Sequence, residues 1–374
     1  MMIFDAHLDL AMNAVEWNRD LTQPLTAIRA SEAPLSDKLD RGRGTVSLPE
    51  MRGGSIGLCV ATLIARVEHD AYSPVQGWRS QAQAWAMTQA QRAWYQCMEE
   101  AGEMTLISDA GSLEQSLDAW TQTPHQTNDS SSLPTGSATA PVGFVLSLEG
   151  ADALLSLDHL HRAHQAGLRA LGPAHYGPGV YAQGTNSEGG FPACGRELLA
   201  EMQGLGMILD VTHLSDACFW EALELYDGPI WASHQNCRAL VPHMRQFSDE
   251  QLRALIARGA VMGAAFDAWM LTPDWVRGKT TPQSAGVTLE HVLDHIDHIC
   301  QLAGNAKHCG IGSDLDGAFG TEQTPQDVQS IAALASIPEK LAQRGYDPEA
   351  IYDIASGNFV RFLKQAWAEG SESS

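Results

Sequence analysis

Apolar and polar positions along the chain follow two alternating periods. Short apolar or β-branched runs, bounded by polar residues or glycine, occur at Met2–Asp5, Ser55–Ala61, Gly143–Leu148, Leu168–Leu171, Met207–Val211, Ile230–Ser233, Ala260–Ala265 and Cys309–Ser313. Near-continuous apolar runs of this length predict strands buried on both faces of a parallel sheet. Between most of them apolar residues recur at helical spacing, over Gln81–Ala101, Leu157–Ala166, Gly195–Gly204, Ser215–Leu225, Ser248–Arg258 and Leu289–Ala303. Ser248-Asp249-Glu250-Gln251 opens one helix with a capping box. Leu205-Gly206 and Arg258-Gly259 read as stops ahead of a strand. Strand alternating with helix predicts parallel strands joined by right-handed crossovers. Eight such units over 374 residues predict an α/β fold, a (β/α)8 TIM-like barrel forming a single domain over residues 1–374. Residues 325–367 are helical by pattern and are expected on the outside of the barrel. Residues 121–140 (TQTPHQTNDSSSLPTGSATA) have no apolar periodicity and read as a flexible Ser/Thr/Pro-rich loop.

A barrel of this type gathers functional groups where its strands end. His7 and Asp9 follow the first run two residues apart, and in an extended chain such residues share a side. Glu149 follows the GFVLSL run, His175 the LRAL run, His213 the MILDV run, His234 the IWAS run and Asp314 the CGIGS run. Each has an ordinary structural use taken singly. A strand-end histidine is often held by a hydrogen bond, Glu149 could cap a helix, and Asp314 and Asp316 could form a turn. Six of eight strands ending in His, Asp or Glu on one rim point instead to metal. His7, Asp9, His213 and His234 supply four ligands, and Glu149 has two oxygens with which to bridge, which suggests two divalent ions. Two such ions can hold a water as hydroxide and polarise a carbonyl. Asp314 is placed to take a proton from that water and pass it to a leaving amine. His175 could donate to the developing oxyanion.

Charge and cysteines narrow the partners and the compartment. A formal charge of −22 and a pI near 4.9 argue against nucleic acid or an anionic membrane surface. The N-terminus has no basic and apolar leader pattern, and no run of about 18 apolar residues is available to span a membrane. The seven cysteines are scattered without a C-x-x-C pair and read as reduced thiols, which fits a cytoplasmic location.

The motifs together resemble the renal or membrane dipeptidase family, the M19 metallopeptidases of the amidohydrolase superfamily. The matching pieces are Asp5-Ala6-His7-Leu8-Asp9-Leu10, Ser147-Leu148-Glu149-Gly150, the His175 segment, Leu209–Ser215 around His213, Ala232-Ser233-His234 and Gly310–Gly317 around Asp314. They stand in the family's order, and the H-x-D opening is the sharpest of them. The resemblance implies a distorted (β/α)8 barrel with two zinc ions that hydrolyses dipeptides, often with a D-residue on the C-terminal side. It implies His7 and Asp9 on one zinc, His213 and His234 on the other, Glu149 bridging, Asp314 as proton shuttle and His175 on the scissile carbonyl. It further implies an arginine for the substrate's free carboxylate. Arg245 stands at the matching distance from His234, whereas Arg238 is expected on a solvated helix face. A small-molecule dipeptide partner and a homodimer come from the same resemblance. The polar C-terminus, Glu369–Ser374, does not read as the lipid-anchor signal of animal members, and Ala265–Trp269 departs from the family's pattern.

Two other readings compete. A deaminase or lactonase on the same scaffold would usually carry H-x-H and often a carboxylated lysine, which His7-Leu8-Asp9 and Glu149 disfavour. A non-catalytic barrel would have lost a ligand, and all are present. The remaining histidines, His159, His161, His164, His291, His295 and His298, fall on predicted helices and are expected on solvated faces.

Overall fold

The computed structural model describes residues 1–69, 72–122 and 140–369. Most of the Ser/Thr-rich stretch read as a loop lies outside these residues. Nine strands are present among those described: β1 Ile3–Leu8, β2 Ile56–Ile64, β3 Met104–Leu106, β4 Val142–Glu149, β5 Leu168–Gly172, β6 Ile208–Asp210, β7 Ile230–Trp231, β8 Met262–Ala264 and β9 Cys309–Ile311. Every pairing between them is parallel. The sheet runs β7-β6-β5-β4-β2-β1-β9-β8. A parallel bridge between Ala232 and Met262 joins its two ends into a barrel. The eight strands of this ring are the eight predicted from the apolar runs. β3 was not predicted. It pairs with the first residues of β4, on the edge that β5 occupies further along.

The ring closes tightly between β7, β8 and β9. A Cβ on Gly263 or Gly312 would stand 2.0 or 1.8 Å from the Ser233 carbonyl oxygen, so only glycine lets these strand ends approach. The helices cover the outer face. The Ser248 capping box is complete, with Gln251 returning the bond to the Ser248 backbone, and Gly206 and Gly259 take left-handed φ after their helices as the stop signals predicted.

The C-terminal segment is helical, as its pattern predicts, but its last helix, Asn358–Glu369, does more than cover the outside. Phe359, Phe362 and Leu363 join Phe4, Leu58, Val60, Val145, Ala170, Ile208 and Trp231 in one buried cluster. Phe359 stacks on Phe4 with ring centroids 5.1 Å apart. The helix thus seals the barrel at the end where the strands begin. The open end is the opposite one, where the strands stop.

Candidate metal centre

The chain brings the seven predicted strand-end residues, from six strands, to that open end, and a local irregularity aims the first of them. Phe4 and Ala6 point into the barrel interior with Val60 and Val145. Between Asp5 and Leu8 the register of β1 against β2 slips. A bulge changes which side chains face in, and here the inward series passes from Phe4 and Ala6 to His7 and Asp9. At two other strand ends the backbone takes left-handed φ on non-glycine residues, +68° at His213 and +58° at Asp314. Such conformations persist where the surrounding structure holds them, and they cluster at functional sites.

The imidazole Nε2 atoms converge on one carboxylate. His7 Nε2 lies 3.5 Å from Glu149 Oε2. His213 Nε2 and His234 Nε2 lie 3.2 and 3.4 Å from Glu149 Oε1 and 3.2 Å from each other. Asp9 Oδ1 and Asp314 Oδ1 are 3.8 and 3.9 Å from His7 Nε2. The donor atoms form three overlapping groups, Glu149/His213/His234, His7/Asp9/Glu149 and His7/His234/Asp314, each within 4.8 Å. Asp314 therefore stands within coordinating range of the other donor atoms.

The opposite ring nitrogens are occupied. Ser233 Oγ lies 2.9 Å from His234 Nδ1 and 3.3 Å from His7 Nδ1, and Thr185 Oγ1 lies 2.9 Å from His213 Nδ1. A hydroxyl oxygen accepting from Nδ1–H leaves Nε2 with its lone pair turned to the centre. The Thr62 hydroxyl donates to Asp9 Oδ1.

Behind these candidate donors, buried polar groups fix the strand ends to one another. Asp5 accepts from the backbone N–H of His7 and from both N–H and hydroxyl of Ser313, beside Asp314. Asp210 accepts from the N–H groups of Thr212 and Ser233, beside His213 and His234. Asn13 Nδ2 donates to the carbonyls of Asp9 and Asp316 at 3.0 and 2.9 Å, and its Oδ1 accepts from Arg19 Nη1 at 2.6 Å. Arg19 is in turn paired with Glu32 and Asp40. Replacing Asn13 with alanine removes three buried hydrogen bonds, at about 0.5–1.5 kcal/mol each and more for the one from charged Arg19. The expected result is a lower thermal midpoint and metal affinity weakened by about 10- to 100-fold, read by scanning calorimetry and metal titration.

The donor set fits divalent metal. His7 Nε2 and Glu149 Oε1 are buried without a hydrogen-bond partner, which is costly unless a cation satisfies them. The field shows the same demand for positive charge. Burial pulls the His7 pKa down, yet Glu149, Asp9 and Asp314 raise it to about 10. Burial, with Asp9, Glu149 and Asp267 close by, holds Asp314 well above the usual carboxylate range despite His7.

Beside the cluster a pocket is lined by His175, Tyr176, Arg245, Asp267, Trp269 and Arg277, among others. His175 belongs to none of the metal groups. Burial, assisted by Arg66 and Arg245 and opposed by Glu149, takes its pKa down to about 4, so near neutral pH the ring is uncharged. Arg245 is buried; its guanidinium donates to Gln235 Oε1 at 2.6 Å and to the His234 carbonyl at 2.8 Å.

Residues 1–373 match the model of the membrane dipeptidases, peptidase family M19. The chain belongs to family M19. It is 31% identical over 218 residues to an uncharacterised Klebsiella pneumoniae protein of the pqqA 5′ region, covering 56% of this chain and 76% of that one. It is also 31% identical over 234 residues to the dipeptidase tcpJ of Claviceps purpurea, covering 60% of this chain and 51% of that one. The chain thus spans about half the length of the dipeptidases it matches. The crystallised M19 metallopeptidase dipeptidase AC has the same fold at a TM-score of 0.77, with 25% identity over 98% of this chain and 99% of its own. A Rhodobacter sphaeroides metallopeptidase, crystallised with a phosphinate mimic of the dipeptide L-Ala-D-Ala, shares the fold at a TM-score of 0.75, with 23% identity and the same coverage.

Family M19 is a family of dipeptidases, and the crystallised member above is a metallopeptidase. No described helix is long and apolar enough to cross a membrane. Two sequence expectations about the M19 chain need correction. Arg238 sits on a turn, not a helix face, where Asp216 and the Gln246 carbonyl hold it. His295 is buried, not solvated, and its Nδ1 accepts the Cys237 N–H at 3.1 Å because the apolar stripe of helix Leu289–Ala303 carries it inward. Sequence reasoning missed Asp267. It stands two residues after the run that became β8, so the strand-end rule that found the other candidate residues applies to it too. Tyr72 and Arg277 carried no sequence signal, since they meet only through the fold of two distant loops.

Proposed function

We propose that this M19 protein is a zinc-dependent dipeptidase, with substrates that include L-Xaa-D-Xaa dipeptides. The observation that carries the reading is the position of Glu149, with one oxygen toward His7 and the other toward His213 and His234. One carboxylate between two imidazole sets suits a pair of ions, with His7 and Asp9 on one side and His213 and His234 on the other. Imidazole and carboxylate donors of this kind suit zinc. Two ions held there would supply Lewis acidity toward the scissile carbonyl and lower the pKa of the attacking water.

The side chains do the rest. Arg245, buried next to the His234 carbonyl, takes the substrate carboxylate, for which a guanidinium offers paired donors. His175, uncharged and within the pocket, donates to the carbonyl oxygen as negative charge develops there. Asp314 accepts the proton of the attacking water and returns it to the departing amine nitrogen. The C–N bond breaks as that nitrogen becomes an amine, so both peptide fragments leave as free amino acids.

Purified protein is expected to carry about two zinc ions per chain and to cleave L-Ala-D-Ala and L-Xaa-L-Xaa dipeptides, but not C-amidated ones. Chelation should abolish turnover and lower the thermal midpoint, because ligand binding stabilises the folded state. Metal analysis that finds none at all under zinc-replete conditions would sink the proposal.

A further inference from the structure

The pocket has a second charged end that the chemistry above leaves unused. Asp267 is 5% exposed and lines the pocket together with Arg245, His175 and Asp314. Its Oδ1 accepts from Gln323 Nε2 at 2.8 Å. Its Oδ2 faces Arg277 Nη2 at 3.8 Å, too far for a hydrogen bond. A buried carboxylate whose nearest cation stands beyond hydrogen-bond distance keeps a demand for a cationic donor. Burial raises its pKa to about 6 although Arg277, Gln323 and hydrogen bonding from Trp269 oppose the change.

Exposure orders the pocket by depth. Arg245 is 3% exposed, whereas Tyr72 is 55% exposed and the Arg277 side chain 31%. At the mouth Arg277 Nη1 donates to Tyr72 Oη at 2.5 Å, and its guanidinium lies over the Tyr72 ring, 5.6 Å from the centroid. Tyr72 in turn meets Tyr176 edge-on at 6.2 Å. The loops that follow β2, β5 and β8 therefore touch one another over the pocket. A dipeptide carries one anion and one cation. With its carboxylate on Arg245, its ammonium needs a carboxylate elsewhere in the pocket, and Asp267, buried next to the mouth residue Arg277, offers one.

We propose that Asp267 receives the free α-ammonium of the substrate and that the Arg277–Tyr72 contact closes the pocket immediately beyond it. This rests on the dipeptidase reading and deepens it. The substrate class becomes peptides whose free amino end is one residue from the scissile bond. An N-acyl group removes the cation, and a further residue on the amino side meets Arg277 and Tyr72.

The test compares wild type, Asp267→Asn, Arg277→Ala and Tyr72→Phe, all zinc-loaded, on L-Ala-D-Ala, N-acetyl-L-Ala-D-Ala and an Ala tripeptide, with thermal midpoints as the folding check. Wild type is expected to cleave the free dipeptide and reject the other two. Asp267→Asn should raise KM for the free dipeptide about 10- to 100-fold, the usual worth of a charge-assisted hydrogen bond, with a much smaller change in kcat. Its discrimination against the acetylated dipeptide should shrink by the same factor. Arg277→Ala should raise the tripeptide-to-dipeptide ratio of kcat/KM about tenfold or more, and Tyr72→Phe should raise it by less. If wild type cleaves the dipeptide while Asp267→Asn keeps full discrimination, or Arg277→Ala leaves the ratio unchanged, this inference is wrong and the dipeptidase reading stands. If wild type cleaves no dipeptide, the functional reading falls and this inference with it.

Discussion

Replacing Glu149 with glutamine lowers kcat/KM for dipeptides by about a thousandfold or more and brings bound metal below two per chain. The size follows from the position of the side chain. Glu149 faces His7 through one oxygen and His213 and His234 through the other. A glutamine matches its shape but turns an NH2 toward one of these imidazole sets. It also removes the negative charge that, against burial and with His7, His175 and His213 close by, is held ionised well below the usual carboxylate range. Lewis-acid assistance is worth several kcal/mol, and about 4 kcal/mol corresponds to a thousandfold in rate. Metal analysis beside steady-state kinetics on the same preparation checks both halves. A variant that keeps two ions and more than a tenth of the activity would show that Glu149 does not link the two ligand sets.

Asp314→Asn separates proton transfer from metal binding. Asparagine preserves the volume, keeps an oxygen toward His7, and cannot relay a proton. The fold is expected to hold, because the segment is fixed by Asp5 to Ser313 and by Asp316 to the backbone N–H groups of Thr45 and Val46. Turnover should fall by about 10²- to 10⁴-fold, the range of general acid–base catalysis. KM and metal content should change little, because the role is confined to the transition state. Near-wild-type kcat would exclude Asp314 as the shuttle. Full kcat loss together with metal loss would make it a ligand, in line with its place beside His7 and His234.

The ring of strands was legible because each strand is buried on both faces and therefore apolar throughout. β3 was not, since Met104-Thr105-Leu106 is three residues long with an exposed threonine, too short to register as a run. The strand-end ligands were legible because barrel geometry converts sequence position into place: a polar residue straight after an apolar run must emerge on one rim. The same logic reaches Asp267. It does not reach Arg19, Asn13, Thr185 or Ser233, whose roles depend on which loops meet in space. It also could not foresee the bulge at Asp5–Leu8. The i, i+2 argument for His7 and Asp9 holds, but strict alternation from Phe4 would have put His7 outside. The same limit explains the error at His295, where helical spacing left open which face would be covered.

The last helix, packed into the closed end of the barrel, bears on how the protein matures. Phe4 rests on Phe359, and β1 takes its two neighbours from β2 and β9. The first strand to leave the ribosome is therefore among the last to be fully paired. Contacts this distant along the chain fold slowly, so residues 1–10 must wait, with apolar surface uncovered, until more than three hundred residues have been synthesised. His7 and Asp314, which face one another in the finished site, cannot meet earlier. The donor set is complete only once Asp314 has been made, more than three hundred residues after His7.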